Sequence, residues 1–160
     1  MSTLGTSEQD RELRMHTVNE IWIQASPKTV YKLAEAVERW PELLPHYRYA
    51  RVLARDGDVR TVKMAASRDG VPVSWTSLLS PLPRQRRLRF HHVRGVTKGM
   101  DVEWRLVRRG RGTHVTIEHD LRLRWPPGVR QIGEYVIGRF FISNVANKTL
   151  RRMKELAEYR

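Results

Sequence analysis

The sequence predicts an α+β fold in which a curved antiparallel sheet of about seven strands wraps one long C-terminal helix. Three observations carry this. Six β-rich segments follow one another between Tyr47 and Trp125, joined by Asp-Gly and Gly-rich turns, the signature of an antiparallel meander. Those segments alternate apolar and charged residues, so one face of the sheet is wet and the other must be covered. Only one stretch, Gln131–Tyr159, has the length and period of a helix large enough to cover it.

Residues 1–14 are polar and without periodicity, and are expected to form a mobile tail ahead of a single domain over 15–160. His16–Gln24 reads as a first strand. Ser26 is placed to cap a helix that begins at Pro27 and carries Val30, Tyr31, Leu33, Ala34 and Val37. Trp40-Pro41-Glu42-Leu43-Leu44-Pro45 is bracketed by prolines and has room for little more than one helical turn. Strands are then expected over Tyr47–Arg55, Val59–Ser67, Val71–Ser80, Arg86–Val93, Met100–Arg108 and Thr113–Trp125. The final helix, roughly 40 Å long at the usual rise per residue, repeats Ile132, Val136, Arg139/Phe140, Ser143, Ala146/Asn147, Leu150, Met153 and Ala157 along one stripe. Ser143 and Asn147 stand where a core helix would carry Leu. They are either satisfied polar groups at a kink or part of a surface that lines something other than packed core.

Alternation sorts the strand residues. Leu88, Phe90 and His92 oppose Arg87, Arg89 and His91; Met100, Val102, Trp104 and Leu106 oppose Asp101, Glu103 and Arg105. Val115, Ile117, His119, Leu121 and Leu123 oppose Glu118, Asp120, Arg122 and Arg124, while Val73, Trp75, Ser77 and Leu79 share one parity. With Trp40 and Tyr47 this brings three tryptophans and a tyrosine toward the helix, each needing a partner for its N–H or O–H. Two outcomes follow from such a face: the aromatics fill the space under the helix, or they wall an apolar pocket for a small molecule. His92 and His119 share the inward parity and are candidate acids or bases. Arg139 and Arg94 could reach a pocket mouth.

The net charge of +13 over 160 residues favours an acidic partner, such as an acidic carrier protein or an anionic membrane surface. The basic residues are spread along the chain without a block interleaved with aromatics, which argues against nucleic acid. There is no cysteine, hence no disulfide or thiolate metal site, and His91-His92 is not a metal motif because adjacent strand residues face opposite ways. No cofactor or metal is called for. No apolar run of membrane-spanning length and no signal-peptide core are present, so a soluble cytoplasmic protein is expected, with its oligomeric state left open.

The order of these pieces resembles the helix-grip fold of START-like proteins, and most nearly the tetracenomycin-type aromatase/cyclases of the polyketide cyclase/dehydratase family. The matching residues are Asn19-Glu20-Ile21 before Ala25-Ser26-Pro27, Trp40-Pro41-Glu42-Leu43 with Tyr47, Asp56-Gly57-Asp58, and Trp75-Thr76-Ser77. Met100 with Trp104, and Gly112-Thr113 leading to Asp120-Leu121, continue the match, which covers residues 16–160. The resemblance implies a pocket that folds a poly-β-ketone for aldol cyclisation and dehydration. Trp40, Trp75 and Trp104 would be its walls, and Tyr47 and Ser77 its hydrogen-bonding groups; Met100 and, from the helix stripe, Arg139, Phe140, Ser143 and Asn147 are further candidate ligand contacts. The family carries an inward arginine two residues beyond the serine matched by Ser77, where this chain has Leu79. Two functions therefore stay open: a cyclase or dehydratase using Tyr47, Ser77, His92 and His119 on a carrier-bound substrate, or a carrier of a lipid, quinone or other aromatic ligand. A ligand sensor is a third.

Overall fold

The computed structural model describes residues 12–68, 70–95, 97–124 and 142–159. The expected helix over 131–141, with Arg139 and Phe140, lies outside the described residues. The first strand, β1 (Glu12–Ile23), begins inside the stretch expected to be tail. Its register explains why: Glu12 and Leu13 continue an unbroken antiparallel ladder opposite Arg124 and Leu123. The chain turns at Ser26, whose Oγ accepts the Thr29 N–H at 3.2 Å, into α1 (Pro27–Glu35). A 3₁₀ turn (Val37–Arg39) and one helical turn, α2 (Trp40–Leu43), follow.

Six strands then run as a meander: β2 (Tyr47–Asp56), β3 (Val59–Arg68), β4 (Val71–Leu82), β5 (Arg87–Gly95), β6 (Asp101–Arg109) and β7 (Gly112–Arg124). The sheet has seven strands in the order β1-β7-β6-β5-β4-β3-β2, so the first strand joins the last. β4 runs two residues past its expected end, because Pro81 and Leu82 still pair with Leu88 and Arg87. The closing helix, α3 (Ser143–Glu158), lies on the inner face against β1, β3 and α1. This is the helix-grip arrangement. Among the described residues no helix is long and apolar enough to cross a membrane.

The parity of the strands holds in three dimensions. Leu88, Phe90, Val102, Trp104, Leu106, Val115, Ile117 and Leu121 are all buried under α3 and the short helices. From α3, Val145, Ala146, Thr149, Leu150, Met153 and Ala157 face inward. The helix is therefore turned slightly from the predicted stripe. Asn147 stays at its exposed margin, where its Oδ1 accepts the Asn19 Nδ2–H from β1 at 3.0 Å. Three further contacts seat the helix: Arg152 Nε donates to Leu43 O at 3.1 Å, Lys154 Nζ to Trp22 O at 3.0 Å, and the Gln24 N–H to Glu158 Oε1 at 2.9 Å. Arg60, inward on β3, donates to Glu35 O and to Glu38 Oε1, both at 3.1 Å, and ties α1 and the 3₁₀ turn to the sheet.

β5 carries one irregularity. Ser77 pairs with His92 and Thr76 with Arg94, so the strand bulges at Val93 before Gly95 meets Trp75. Gly95 adopts φ 104°, and a Cβ there would sit 2.7 Å from Ser74 O and 3.1 Å from Trp75 Cα. Only a residue without a side chain allows β5 to approach Trp75 this closely. Gly95→Ala is expected to cost about 2 kcal/mol or more of stability in urea titration. A midpoint matching that of the unaltered protein would mean that β5 can move aside.

Candidate functional site

Between sheet and helix lies a cavity of about 70 Å³. Its walls come from every layer of the fold: Trp40 from α2, Tyr47 and Met64 from β2 and β3, Trp75 from β4, and Phe90 and His92 from β5. Thr97 and Met100 from the β5–β6 loop, Val102 and Trp104 from β6, and Ile117 and His119 from β7 continue the lining. Ile142, Val145, Ala146 and Thr149 close it from the helical side.

The aromatic rings form a connected cluster. Trp40 meets Tyr47 edge-on at 5.1 Å between centroids and Trp104 at 5.8 Å, and Tyr47 meets Trp75 at 6.4 Å. Tilted and edge-on contacts of this kind suit the quadrupoles of the rings. Trp40 satisfies its indole by donating to Leu33 O at 3.1 Å. Trp75 stacks on the His92 ring at 5.7 Å with the planes 6° apart.

The polar groups inside are few and neutral. Burial pushes the Tyr47 phenol up to about 12, so it is protonated near neutral pH. Burial lowers His92 to about 3 and His119 to about 4. Both rings are therefore uncharged, and each offers one N–H and one lone pair. His92 Nδ1 lies 2.7 Å from Thr97 Oγ1, which fixes its ring against Trp75. His119 Nδ1 is shut from solvent and has no hydrogen-bond partner among the described residues. Among those residues no three His, Asp or Glu gather as a metal site.

The predicted residues thus divide. Trp40, Tyr47, Trp75, His92, Met100, Trp104 and His119 line one cavity. Ser77 and Leu79 face inward as their parity requires, but they are fully buried and are not part of the cavity wall. Ser77 Oγ finds no partner among the described residues, and Leu79 sits opposite Arg60 on β3. The inward cation beside Leu79 is thus engaged by Glu35 and Glu38, and among the described residues no arginine lines the cavity. Ser143 and Asn147 are also outside its wall; Asn147 is taken up by Asn19.

Two polar residues of the site escape the pattern reading. Thr149 Oγ1 donates to Val145 O at 2.7 Å and lies 3.5 Å from Tyr47 Oη. His46 Nε2 approaches the same oxygen at 2.9 Å. Thr149 was findable, one step round the helix from Ala146 and Leu150 in the inward stripe. His46 was not, because it precedes β2 in a turn, where strand parity gives no direction.

With this geometry established, known proteins give the site a context. Residues 23–154 match the family described as polyketide cyclase / dehydrase and lipid transport. A Streptomyces halstedii protein described as "Putative polyketide cyclase" is 36% identical over 92 residues, an alignment covering 56% of this chain and 84% of that one. Among solved structures, the Zhui aromatase/cyclase of Streptomyces sp. R1128 superposes with a TM-score of 0.83 at 15% identity, covering 92% of this chain and 96% of its own. A START superfamily protein of Mycobacterium smegmatis gives 0.68 at 15% identity, covering 90% and 97%. At these identities the structural likeness is one of fold. The family match is broader in meaning, since it spans most of the sequence from the end of β1 into α3: the chain belongs to the polyketide cyclase/dehydrase and lipid transport family.

Proposed function

We propose that this protein is an aromatase/cyclase or dehydratase that acts in the cytoplasm on a linear poly-β-ketone delivered by an acidic acyl carrier protein. The observation that carries this reading is the pairing, on one apolar cavity, of a protonated phenol with a neutral imidazole whose Nδ1 has no hydrogen-bond partner among the described residues. Ring closure by aldol addition removes a proton from carbon and gives one to the oxygen of the attacked ketone. His119 Nδ1 takes the first and Tyr47 Oη–H supplies the second. Dehydration uses the same two groups once His119 has released its proton to solvent and Tyr47 has regained one: the base removes the α-proton, the acid protonates the departing hydroxyl, and water leaves. His92, held by Thr97 and stacked on Trp75, orients the aromatic wall against which the chain folds. The net charge of +13 supports the acidic carrier as partner.

Among the described residues no cation lines the cavity, so on their side stabilisation of the developing enolate falls to neutral donors, which are weaker than charged ones. Size adds a condition. A pocket for a drug-sized ligand usually measures about 300–1,000 Å³, so this cavity must open before a polyketide enters. Trp40, Trp75 and Trp104 are the walls that would move.

Tyr47→Phe is expected to lower turnover of a linear poly-β-ketone thioester by roughly 10²-fold, with thermal stability nearly unchanged. Unaltered turnover would remove Tyr47 from the chemistry. If the unaltered protein leaves the substrate at its uncatalysed rate and carries a lipid or quinone in native mass spectrometry, transfer replaces catalysis as the function.

Neutral buried histidines also set a pH dependence. His92 and His119 titrate in the fold at about 3 and about 4, against an ordinary 6.5. Below that ordinary value the unfolded chain takes up protons that the folded chain refuses, so stability falls as pH drops toward 4. The slope is up to about 1.4 kcal/mol per pH unit for each ring. Urea midpoints at pH 7 and pH 5 test this, with His92→Gln expected to reduce the slope and not abolish it, since His119 and His46 are also lowered to about 4. A profile already flat in the unaltered protein would show that these rings are solvated in the fold.

A further inference from the structure

We propose that His46 and Thr149 form a proton path that connects the Tyr47 hydroxyl, inside the cavity, to solvent. The inference rests on the reading of Tyr47 as proton donor and adds the route by which it is recharged. Once Tyr47 has given its proton to substrate, the buried phenolate, packed against Trp40, Trp75 and Thr149, needs a donor that reaches outside.

The geometry supplies one. Thr149 Oγ1 lies between Tyr47 Oη at 3.5 Å and His46 Nε2 at 2.9 Å. Its single proton is directed to Val145 O at 2.7 Å, a common habit of a helical threonine. The oxygen is therefore left as acceptor for the His46 N–H. Rotation about Cβ–Oγ1 turns the same proton from Val145 O toward Tyr47 Oη, so Thr149 has two alternative acceptors for one hydrogen. His46 is half-buried and does not line the cavity, and its ring packs 4.7 Å from that of Tyr47. It thus bridges the interior and the surface at the turn before β2. Burial and the neighbouring Lys148 lower its titration to about 4, so it rests as neutral imidazole with one N–H and one lone pair, the form a shuttle needs.

The transfer balances. Thr149 Oγ1–H passes its proton to the Tyr47 phenolate as His46 Nε2–H passes one to Thr149 Oγ1. His46 Nδ1 takes a proton from solvent, so the ring stays neutral and changes tautomer. One proton enters at the surface and one reaches Tyr47. His46 and Thr149 act through Tyr47 and are positioning and relay residues.

The test reads the path without any substrate. In protein carrying ¹³C at the tyrosine Cζ, the deuterium isotope shift in mixed H₂O and D₂O reports how fast the Tyr47 hydroxyl exchanges with solvent. Thr149→Val and His46→Phe are expected to slow that exchange at least about tenfold. Thr149→Ser, which keeps the hydroxyl, is expected to restore it, a rescue that a purely packing role for Thr149 would not give. His46→Gln, which keeps an N–H but cannot change tautomer, serves if the phenylalanine variant does not fold, and is expected to be slow as well. Exchange in Thr149→Val as fast as in the unaltered protein would overturn the path. Slowed exchange together with unaltered turnover in Tyr47→Phe would support the path while overturning the catalytic role of Tyr47.

Discussion

The pairing of β1 with β7 is the constraint on which the remainder depends. It joins the first strand to the last across about a hundred residues and runs unbroken from Glu12↔Arg124 to Ile23↔Thr113. Only with β1 in that place does α3 find its seat, because Asn19, the Trp22 carbonyl and the Gln24 amide are what hold Asn147, Lys154 and Glu158. The helix in turn brings Val145, Ala146 and Thr149 over the aromatic face and closes the cavity. Contacts so distant in sequence cost loop-closure entropy before they return any burial. The buried apolar face of the sheet is what offsets it.

A second device keeps the outer face from opposing this closure. Glu103 on β6 lies among Arg87, Arg89 and Arg105, at 3.5, 3.0 and 2.6 Å. Partial burial would raise its carboxyl, but Arg105 and Arg89 outweigh that and hold it below the ordinary carboxylate range. Each such pair on an open face contributes little on its own. Their effect is to let a strongly basic chain place arginines side by side on adjacent strands without net repulsion there.

The sheet was legible because alternation and turn chemistry are local properties. Asp56-Gly57-Asp58 and Arg109-Gly110-Arg111-Gly112 mark their hairpins unaided, and the inward parity of Trp104, Ile117 and His119 follows from counting by two. The depth of a residue along a strand is not local. Ser77 and Leu79 have the same parity as Trp75, yet lie farther along β4, where Arg60 and the short helices cover the sheet. Parity names a face and says nothing of which stretch of it is roofed and which is hollow. Helical phase had the same limit: a shift of less than one residue step exchanged Asn147 for Thr149 as the polar group at the cavity. His46 meets Thr149 from 103 positions away, a proximity only the assembled fold creates.

The smallness of the cavity has a kinetic meaning. The space between the rings is about 70 Å³, so a larger guest would require a more expanded conformer than this one. Apparent affinity is then the intrinsic affinity scaled by the fraction of molecules in that conformer. On that reading, replacing a wall tryptophan with a smaller residue would raise that fraction and loosen selection at once. The aromatic cluster, on the proposed reading, would trade speed of entry for discrimination among guests.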